Sequence, residues 1–252
     1  MIVDCNAYVG KWPYWPNPYM SEDGLLRLMD RHDVARAVVT STRSIMIDPR
    51  EGNVECREIA ARHPDRINWL ACVNPCDDEA ALVECERAVE EGAVALRLTP
   101  QHQSWSLSTD PFVDELVAAV ERWRKPVVLP LRLIMDWRLP MLGIAELAAF
   151  VAKHPGATFV LSGINYHDLR VAVAIMKRNP ATFIETSCLM GRGSVERLVE
   201  AVGAGRVLLG LGLPLQSGLC GLEKIRHADI DERAIGGILG VNALRLYGMG
   251  AA

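Results

Sequence analysis

Residues 93–163 contain three short apolar segments, which are AVALRLT (93–99), PVVLPLR (126–132) and ATFVLSG (157–163). Between them lie amphipathic stretches whose apolar residues recur at helical spacing. Near-continuous apolar strands that alternate with helices are typical of a parallel sheet covered on both faces. This part of the chain therefore predicts consecutive strand–helix units.

The same alternation extends in both directions from this region. Five more segments have strand character: IVDCNAY (2–8), RAVVTST (36–42), INWLACV (67–73), ATFIETS (181–187) and RVLLGLG (206–212). Eight such units in 252 residues predict an α/β fold, a single (β/α)8 TIM barrel, with residues 1–252 as one domain.

Helix boundaries can be placed between these strands. Ser21 and Asp77 stand where N-caps are expected, since each precedes an amphipathic stretch. Gly92 is expected to end the second of these helices, and Pro64 and Pro155 each follow a predicted helix end.

Composition excludes several classes of function. The chain has 27 Lys and Arg against 31 Asp and Glu, with no basic cluster, so no nucleic-acid partner is expected. No apolar run reaches the length of a membrane span and no signal-peptide pattern is present, which predicts a protein without a membrane partner. The seven cysteines are scattered and form no CxxC pair, so we expect a cytoplasmic protein without a disulfide framework.

Five landmarks in order resemble one known family. They are IVDCNAYVG (2–10), GAVALRLTP (92–100), HPGATFVLSG (154–163), RVLLGLGLP (206–214) and ILGVNALRLYG (238–248). Together they resemble amidohydrolase-related family 2 of the amidohydrolase superfamily, over nearly the whole chain. The resemblance implies a hydrolytic barrel enzyme with a divalent metal, held by histidines and an aspartate at strand ends, that activates a water molecule.

The metal-binding positions of that family carry other residues here. The His-x-His pair of strand 1 falls on Asn6 and Tyr8, and the histidine of strand 5 falls on Pro130. The histidine after strand 6 falls on Gly163, and the aspartate of strand 8 falls on Gly212. Glycine and proline side chains cannot bind a metal, so the sequence predicts no metal and no other cofactor.

A replacement metal site is not expected from the remaining histidines. Of the six in the chain, only His102 and His167 follow predicted strands. We expect both to be exposed polar residues, because a metal site needs three or four well-placed ligands.

Polar residues near the strand ends predict a small-molecule site at the barrel mouth. Alternation along strand 1 places Asp4, Asn6 and Tyr8 on one inward face, and Ser187 shares a face with Glu185 on strand 7. We assign candidate catalytic roles, as acid, base or oxyanion donor, to a first set: Asp4, Tyr8 and Glu185. We assign candidate substrate-binding roles to a second set: Asn6, Trp12, Arg97, Arg132 and Asn165.

Two features of this site have alternative explanations. Arg97 either binds a substrate carboxylate or forms an internal ion pair with Asp4 or Glu185. The loop GKWPYWPNPYM (10–20), which contains Trp12, either covers a bound molecule or plugs the mouth.

Two functions are therefore open. The first is a metal-independent hydrolase or lyase that acts on a small carbonyl or carboxylate compound. The second is a non-catalytic relative, a pseudoenzyme that serves as a ligand-binding module or as the partner subunit of an active homologue; a homo-oligomer is compatible with both. An open mouth holding Arg97 and a carboxylate favours the first, and a mouth sealed by Trp12, Tyr14 and Trp15 favours the second.

Overall fold

Eight parallel strands form the inner sheet of the computed structural model, which describes residues 1–110 and 112–250. In chain order they are β1 Ile2–Val9, β2 Val34–Ser41, β3 Ile67–Cys72, β4 Ala95–Arg97, β5 Val127–Pro130, β6 Phe159–Ser162, β7 Thr182–Glu185 and β8 Val207–Leu208. Each strand pairs in parallel with the next one along the chain. Backbone hydrogen bonds from Cys5 N–H to the Leu209 carbonyl (2.9 Å) and from Tyr8 N–H to the Leu213 carbonyl (2.7 Å) join β1 to the segment that begins with β8. The predicted (β/α)8 barrel is confirmed.

Helices cover the outside of this sheet. Those before β5 are α1 Glu22–Arg31, α2 Thr42–Met46, α3 Pro49–Arg62, α4 Glu79–Glu90, α5 Pro100–Gln103 and α6 Phe112–Arg122. Those after β5 are α7 Ile144–Lys153, α8 Leu169–Arg178, α9 Ser194–Val202, α10 Gly218–Arg226, α11 Glu232–Gly236 and, beyond a π-helical turn, α12 Asn242–Tyr247. None of the helices in the described ranges is long and apolar enough to cross a membrane.

Most of the predicted helix boundaries are confirmed. The Ser21 side chain caps α1 by accepting a hydrogen bond from Gly24 N–H. Gly92 follows the end of α4 with φ at +102°, and α3 and α7 end shortly before Pro64 and Pro155. The prediction that Asp77 caps α4 is wrong: Pro75 starts a 3-10 turn that ends at Asp77, so the helix begins only at Glu79.

The barrel interior consists of two layers of different chemistry. The lower layer, near the N-terminal ends of the strands, is an apolar cluster that includes Val3, Cys5, Val38, Leu70, Val128, Val160 and Leu208, packed against Tyr247 and Met249 from the end of the chain. The upper layer, near the C-terminal ends, contains buried polar side chains, which are Asn6, Tyr8, Thr40, Arg97, Glu185 and Ser187. The fold thus places polar groups at the end where barrel enzymes have their active sites.

Candidate active site at the barrel mouth

A β-bulge in β1 decides which of its side chains reach the upper layer. Val3 and Cys5 pack in the lower layer, and the pairing of β1 with β2 shifts register between Asp4 and Ala7. Beyond the shift, Asn6 and Tyr8 contact Arg97 inside the barrel. The strict alternation that we expected along β1 therefore does not hold.

Asp4 lies at the seam between β1 and the segment that begins with β8. Its Oδ1 accepts hydrogen bonds from Leu211 N–H (2.8 Å) and Asn6 N–H (2.9 Å). Oδ2 is buried and has no hydrogen-bond partner among residues 1–110 and 112–250. Burial raises the Asp4 pKa to about 7, against the lowering effect of the backbone N–H groups, so this carboxyl exchanges protons near neutral pH.

Arg97 spans the upper layer from β4 to β1 and β2. Its Nη1 donates to Thr40 Oγ1 (2.9 Å), and its Nη2 donates to Asn6 Oδ1 (2.8 Å) and Tyr8 Oη (3.1 Å). The guanidinium carbon lies 5.1 Å from the centre of the Tyr8 ring. Arg97 is 1% exposed, and its Nε has no partner within the protein.

The hydrogen-bond partners of Arg97 are all neutral. Among the described residues no carboxylate lies within ion-pair distance of it, so neither of the expected ion pairs, with Asp4 or with Glu185, forms. A buried cation is costly unless an anion compensates it. The arrangement of Arg97 is therefore suited to receive an anionic group.

Glu185 is held by four hydrogen bonds. Its Oε1 accepts from Ser162 Oγ (2.7 Å), Gly163 N–H (2.9 Å) and Ser187 Oγ (2.8 Å), and its Oε2 accepts from Ser187 N–H (2.6 Å). Ser187 Oγ in turn accepts from Asn6 Nδ2 (3.0 Å), which links β7 to β1. Because a carboxylate offers about four acceptor positions, Glu185 orients its neighbours rather than presenting a free base.

The segment that follows β8 approaches this carboxylate closely, and this requires glycine at position 210. A Cβ atom on Gly210 would lie 1.7 Å from Glu185 Oε2 and 3.1 Å from Ser187 N. Any larger residue there would displace the Glu185 carboxylate.

Arg132 and Asn165 occupy a second part of the mouth. Arg132 Nη2 forms a buried ion pair with Asp168 Oδ2 (2.7 Å), while its Nε has no partner within the protein. Asn165 Oδ1 accepts from Tyr166 N–H (2.7 Å), so its side chain serves the local turn. Among the described residues, no hydrogen bond joins the side chain of either residue to Arg97, so the structure brings together only part of the predicted set.

An apolar roof covers the upper layer. Trp12 is 6% exposed and belongs to a cluster that also contains Tyr8, Met20, Ile45, Cys72, Leu133, Ile134 and Leu139. Trp12 also contacts the rings of Tyr14 and Trp15, with centroid separations of 5.3 and 5.4 Å. The aromatic loop therefore packs over the mouth.

Two cavities lie at the edges of this roof. The larger, about 1260 Å³, lies between the aromatic loop and helices α2 and α3, with Lys11, Arg43 and Glu51 in its walls. The smaller, about 400 Å³, lies between the loops that follow β1, β5 and β8. Neither of these two cavities is lined by Arg97 or Glu185.

His102, on α5, is a site residue that sequence reasoning missed. We expected an exposed side chain, but its Nε2 is buried and has no partner within the protein. Burial and, after it, the nearby Arg97 charge lower the pKa of His102 to about 4, so the ring is neutral at neutral pH. α5 begins directly after β4 and buries the His102 ring against the barrel. The sequence alone does not predict this burial, because a single histidine in a loop is usually exposed.

Taken together with those already described, six buried polar atoms near the mouth lack a partner among the described residues. Among the described residues they are Trp12 Nε1, Arg97 Nε, Thr99 Oγ1, Gln101 Oε1, His102 Nε2 and Arg132 Nε. Buried polar groups nearly always have partners in proteins, so such a concentration is informative. Three of these atoms are N–H donors of Arg or Trp, which suits an acceptor-rich ligand such as a carboxylate.

The residues present do not fit the metal centre that the family resemblance implies. In the described ranges no three His, Cys, Asp or Glu side chains are close enough together to hold a metal ion. Asn6 and Tyr8 are bound to the Arg97 guanidinium, which puts a positive charge beside them. At Gly163, a Cβ atom would lie 2.1 Å from the Arg132 carbonyl oxygen, so this backbone has no room for a histidine there.

Solved structures with the same fold include several decarboxylases. A 2,6-dihydroxybenzoate decarboxylase complexed with 2,6-dihydroxybenzoate shares 18% identity with a TM-score of 0.77, over 98% of both chains. The 2,6-dihydroxybenzoate decarboxylase from Rhizobium shares 20% identity with a TM-score of 0.75, also over 98% of both chains. A dihydroxybenzoic acid decarboxylase from Polaromonas sp. JS666, with bound manganese and an inhibitor, shares 16% identity with a TM-score of 0.80, over 100% of this chain and 98% of that one.

At such identities these likenesses establish the fold alone. No curated protein matches the sequence at a significant level. The sequence profile described as amidohydrolase, in contrast, matches residues 3–249, which is nearly the whole chain. The chain therefore belongs to the amidohydrolase family.

Proposed function

We propose that this protein is a metal-independent hydrolase or lyase that binds a small carboxylate compound at the barrel mouth. One observation carries the proposal: Arg97 is buried, has only neutral partners among the described residues, and keeps its Nε–H free. A substrate carboxylate would supply the missing countercharge and accept from Nε. Because Arg97 is 1% exposed and lines neither cavity, the aromatic loop that carries Trp12 would have to move aside to admit this substrate.

Residues around Arg97 supply the rest of a carboxylate site. Thr99 follows the end of β4 and His102 lies on α5 directly after it, and Thr99 Oγ1 and His102 Nε2 both lack partners among the described residues. With its imidazole neutral at neutral pH, His102 offers either a hydrogen-bond donor or an acceptor to the substrate, according to its tautomer. Trp12 provides the apolar wall that a ring-shaped substrate needs.

Asp4 is the best-supported acid or base of this site. With a pKa of about 7, it is present in both protonation states near neutral pH, and its Oδ2 is free of hydrogen bonds within the protein. In a decarboxylation, the protonated Asp4 would donate to the carbon that loses carbon dioxide. In a hydrolysis, the ionised form would accept a proton from the attacking water.

Tyr8 and Glu185 are positioning residues in this scheme. Burial raises the Tyr8 pKa to about 12, and its hydroxyl donates to the Leu133 carbonyl while accepting from Arg97. Glu185 fixes Ser187, which holds Asn6 and, through it, the Arg97 guanidinium. Tyr8 and Glu185 therefore set the orientation of the Arg97 guanidinium.

The experiment is a binding titration with 2,6-dihydroxybenzoate, the compound named for a structurally similar decarboxylase. Wild type, Arg97→Ala and a control, Arg192→Ala, are compared by calorimetry. Arg192 is exposed on the loop after β7, on the same face of the barrel. We expect Arg97→Ala to weaken binding by about 30-fold or more, because removing one partner of a buried charge pair costs at least ~2 kcal/mol.

Three outcomes would contradict the proposal. In the first, wild type binds neither this compound nor other small aromatic and aliphatic carboxylates. In the second, Arg97→Ala binds the ligand as tightly as wild type. In the third, Arg192→Ala loses as much affinity as Arg97→Ala. Arg97→Met, which keeps an apolar stem of similar reach, separates loss of charge from loss of packing. Circular dichroism checks that each variant is folded.

A second function is favoured by the closed roof. Arg97 is 1% exposed beneath the cluster around Trp12, which suits a non-catalytic member that retains a ligand or serves as partner subunit of an active homologue. Carbon dioxide release and ester or amide hydrolysis distinguish the two functions. Binding without any turnover would support the non-catalytic one, whereas turnover that depends on Asp4 would support the enzyme. A cytoplasmic location stays a prediction.

A further inference from the structure

Half of the large apolar side chains that are exposed among the described residues lie on one arc of the barrel mouth. They lie on the loops after β5, β6 and β7 and at the start of α10, and we call them the rim patch: Met135, Trp137, Met141, Tyr166, Met190 and Leu219. Trp137 is 90% exposed and Tyr166 is 61% exposed. Clustered exposure of this kind on a folded protein marks an interaction surface.

The smaller cavity opens beside Trp137 and is not filled by it. Its walls include Trp15, Ile134, Met135 and Leu215, with the polar groups of Asp136 and Arg138 at its edge. Its volume of about 400 Å³ exceeds what one indole ring requires. A protruding tryptophan and a cavity with both apolar and polar walls thus lie side by side, and the cavity is lined in part by the chain neighbours of that tryptophan.

Such an arrangement is self-complementary. In a two-fold interface the same surface meets itself, so the knob of each copy enters the cavity of the other. Because Trp137 and the cavity adjoin each other, a two-fold axis passing between them would satisfy both contacts at once.

The charges next to Trp137 fit the same arrangement. Arg138 donates through Nε to Asp136 Oδ1 (2.9 Å) and through Nη2 to Asp136 Oδ2 (2.7 Å). The two residues that flank Trp137 therefore carry opposite charges that are paired within one copy, although the whole chain has a net charge of −4. Two copies related by a two-fold axis would place each Arg138 near the Asp136 of the other copy, without repulsion between like charges.

The apolar area is of the size that a stable contact needs. A standard interface buries about 800 Å² on each partner, and one aromatic side chain contributes about 150–250 Å². Two largely exposed aromatic rings with four exposed Met and Leu side chains provide a large share of that area.

We propose that a second copy of this chain docks on the rim patch in a two-fold dimer, with Trp137 of each copy in the cavity of the other. The dimer has a consequence for the site, because Met135 Sδ lies 3.6 Å from Arg132 Nη1. The second copy therefore covers the side of the mouth next to Arg132. This inference rests on the surface alone and is independent of the proposed carboxylate chemistry.

Sedimentation velocity over a wide range of protein concentration tests it. We expect wild type to form a dimer, and Trp137→Ser to raise the dimer dissociation constant by at least about 30-fold, as for a central aromatic residue of an interface. The control is Val83→Ser, which removes an exposed apolar side chain from α4, away from the mouth, and should leave the dimer unchanged.

A monomeric wild type at every concentration would overturn the proposal. So would a dimer of Trp137→Ser as stable as that of wild type, or an equal loss in Val83→Ser. Sedimentation with vesicles of phosphatidylcholine and phosphatidylglycerol covers the other use of an aromatic patch: a monomer that binds vesicles through Trp137 would refute the dimer in favour of a lipid surface.

Discussion

The two layers of the barrel interior differ in the polarity of their side chains. The lower layer is packed mainly by aliphatic side chains and closed by Tyr247 and Met249, and the Tyr247 hydroxyl is the polar atom there that lacks a partner among the described residues. The upper layer holds the Arg97 guanidinium and the Glu185 carboxylate, with the Asp4 carboxyl group and the neutral His102 imidazole nearby, and several polar atoms in this region lack partners among the described residues. Buried polar groups without hydrogen-bond partners lower the stability of a folded protein. The difference agrees with the proposal that the lower layer mainly stabilises the barrel, whereas the upper layer binds a ligand.

The largest effect is expected from a truncation in the lower layer. Leu70 is buried in that layer on β3, so Leu70→Ala should lower the free energy of unfolding by about 2–5 kcal/mol through lost burial and the cavity that remains. Urea denaturation followed by circular dichroism measures the change.

A matched change in the upper layer sharpens the contrast. Thr99 is equally buried, but its hydroxyl has no partner within the protein, so Thr99→Val should change stability by less than about 1 kcal/mol in either direction. If Thr99→Val cost as much as Leu70→Ala, the division into a stabilising and a binding layer would be wrong.

The next effect concerns the pH dependence that Asp4 introduces. Its pKa is raised from 3.8 to about 7 by burial, so between these values the folded protein binds a proton that the unfolded chain has released. The contribution of Asp4 to stability is therefore complete below about pH 4 and is lost as the pH rises towards 7. Each pKa unit corresponds to about 1.4 kcal/mol.

Asp4→Asn isolates this contribution. The amide keeps an oxygen to accept from Leu211 N–H but cannot ionise, so the stability of the variant relative to wild type should increase as the pH rises from 4 to 7. His102 has its pKa lowered to about 4 and acts in the opposite direction, but it is present in both proteins and cancels in the difference. Parallel stability curves for the two proteins would show that Asp4 is not protonated in the folded state.

A smaller effect is expected where β8 approaches Glu185. Gly210→Ala would place Cβ 1.7 Å from Glu185 Oε2 and force the carboxylate away from Ser187, at a cost of about 1–3 kcal/mol. Gly143→Ala is the control, because no atom lies within 4 Å of its Cβ position. Thermal unfolding of both variants measures the difference, and equal melting temperatures would mean that Glu185 is not held as described.

These residues also mark the limits of prediction from the sequence. Apolar runs and caps such as Ser21 located the strands, several helix ends and the end of the barrel at which polar residues gather, because those depend on local chemistry. The bulge between Asp4 and Ala7 could not be predicted, since it depends on how β1 pairs across the barrel. Nor could the neutral partners of Arg97, because an arginine and two carboxylates on inward strands suggest an ion pair unless the distances are known.

The last prediction is that removal of divalent metal has no effect on stability. Because the side chains at the family's metal positions do not form a ligand set, treatment with a chelator should leave the melting temperature unchanged. Elemental analysis of the purified protein, before and after incubation with zinc and manganese, provides the control for residual metal. A stoichiometric ion whose removal lowers the melting temperature would contradict this prediction and would identify the upper layer as a metal centre built from other ligands. An unchanged melting temperature in metal-free protein would leave Arg97 as the principal cationic group of the mouth, and the carboxylate titration would then test what that charge binds.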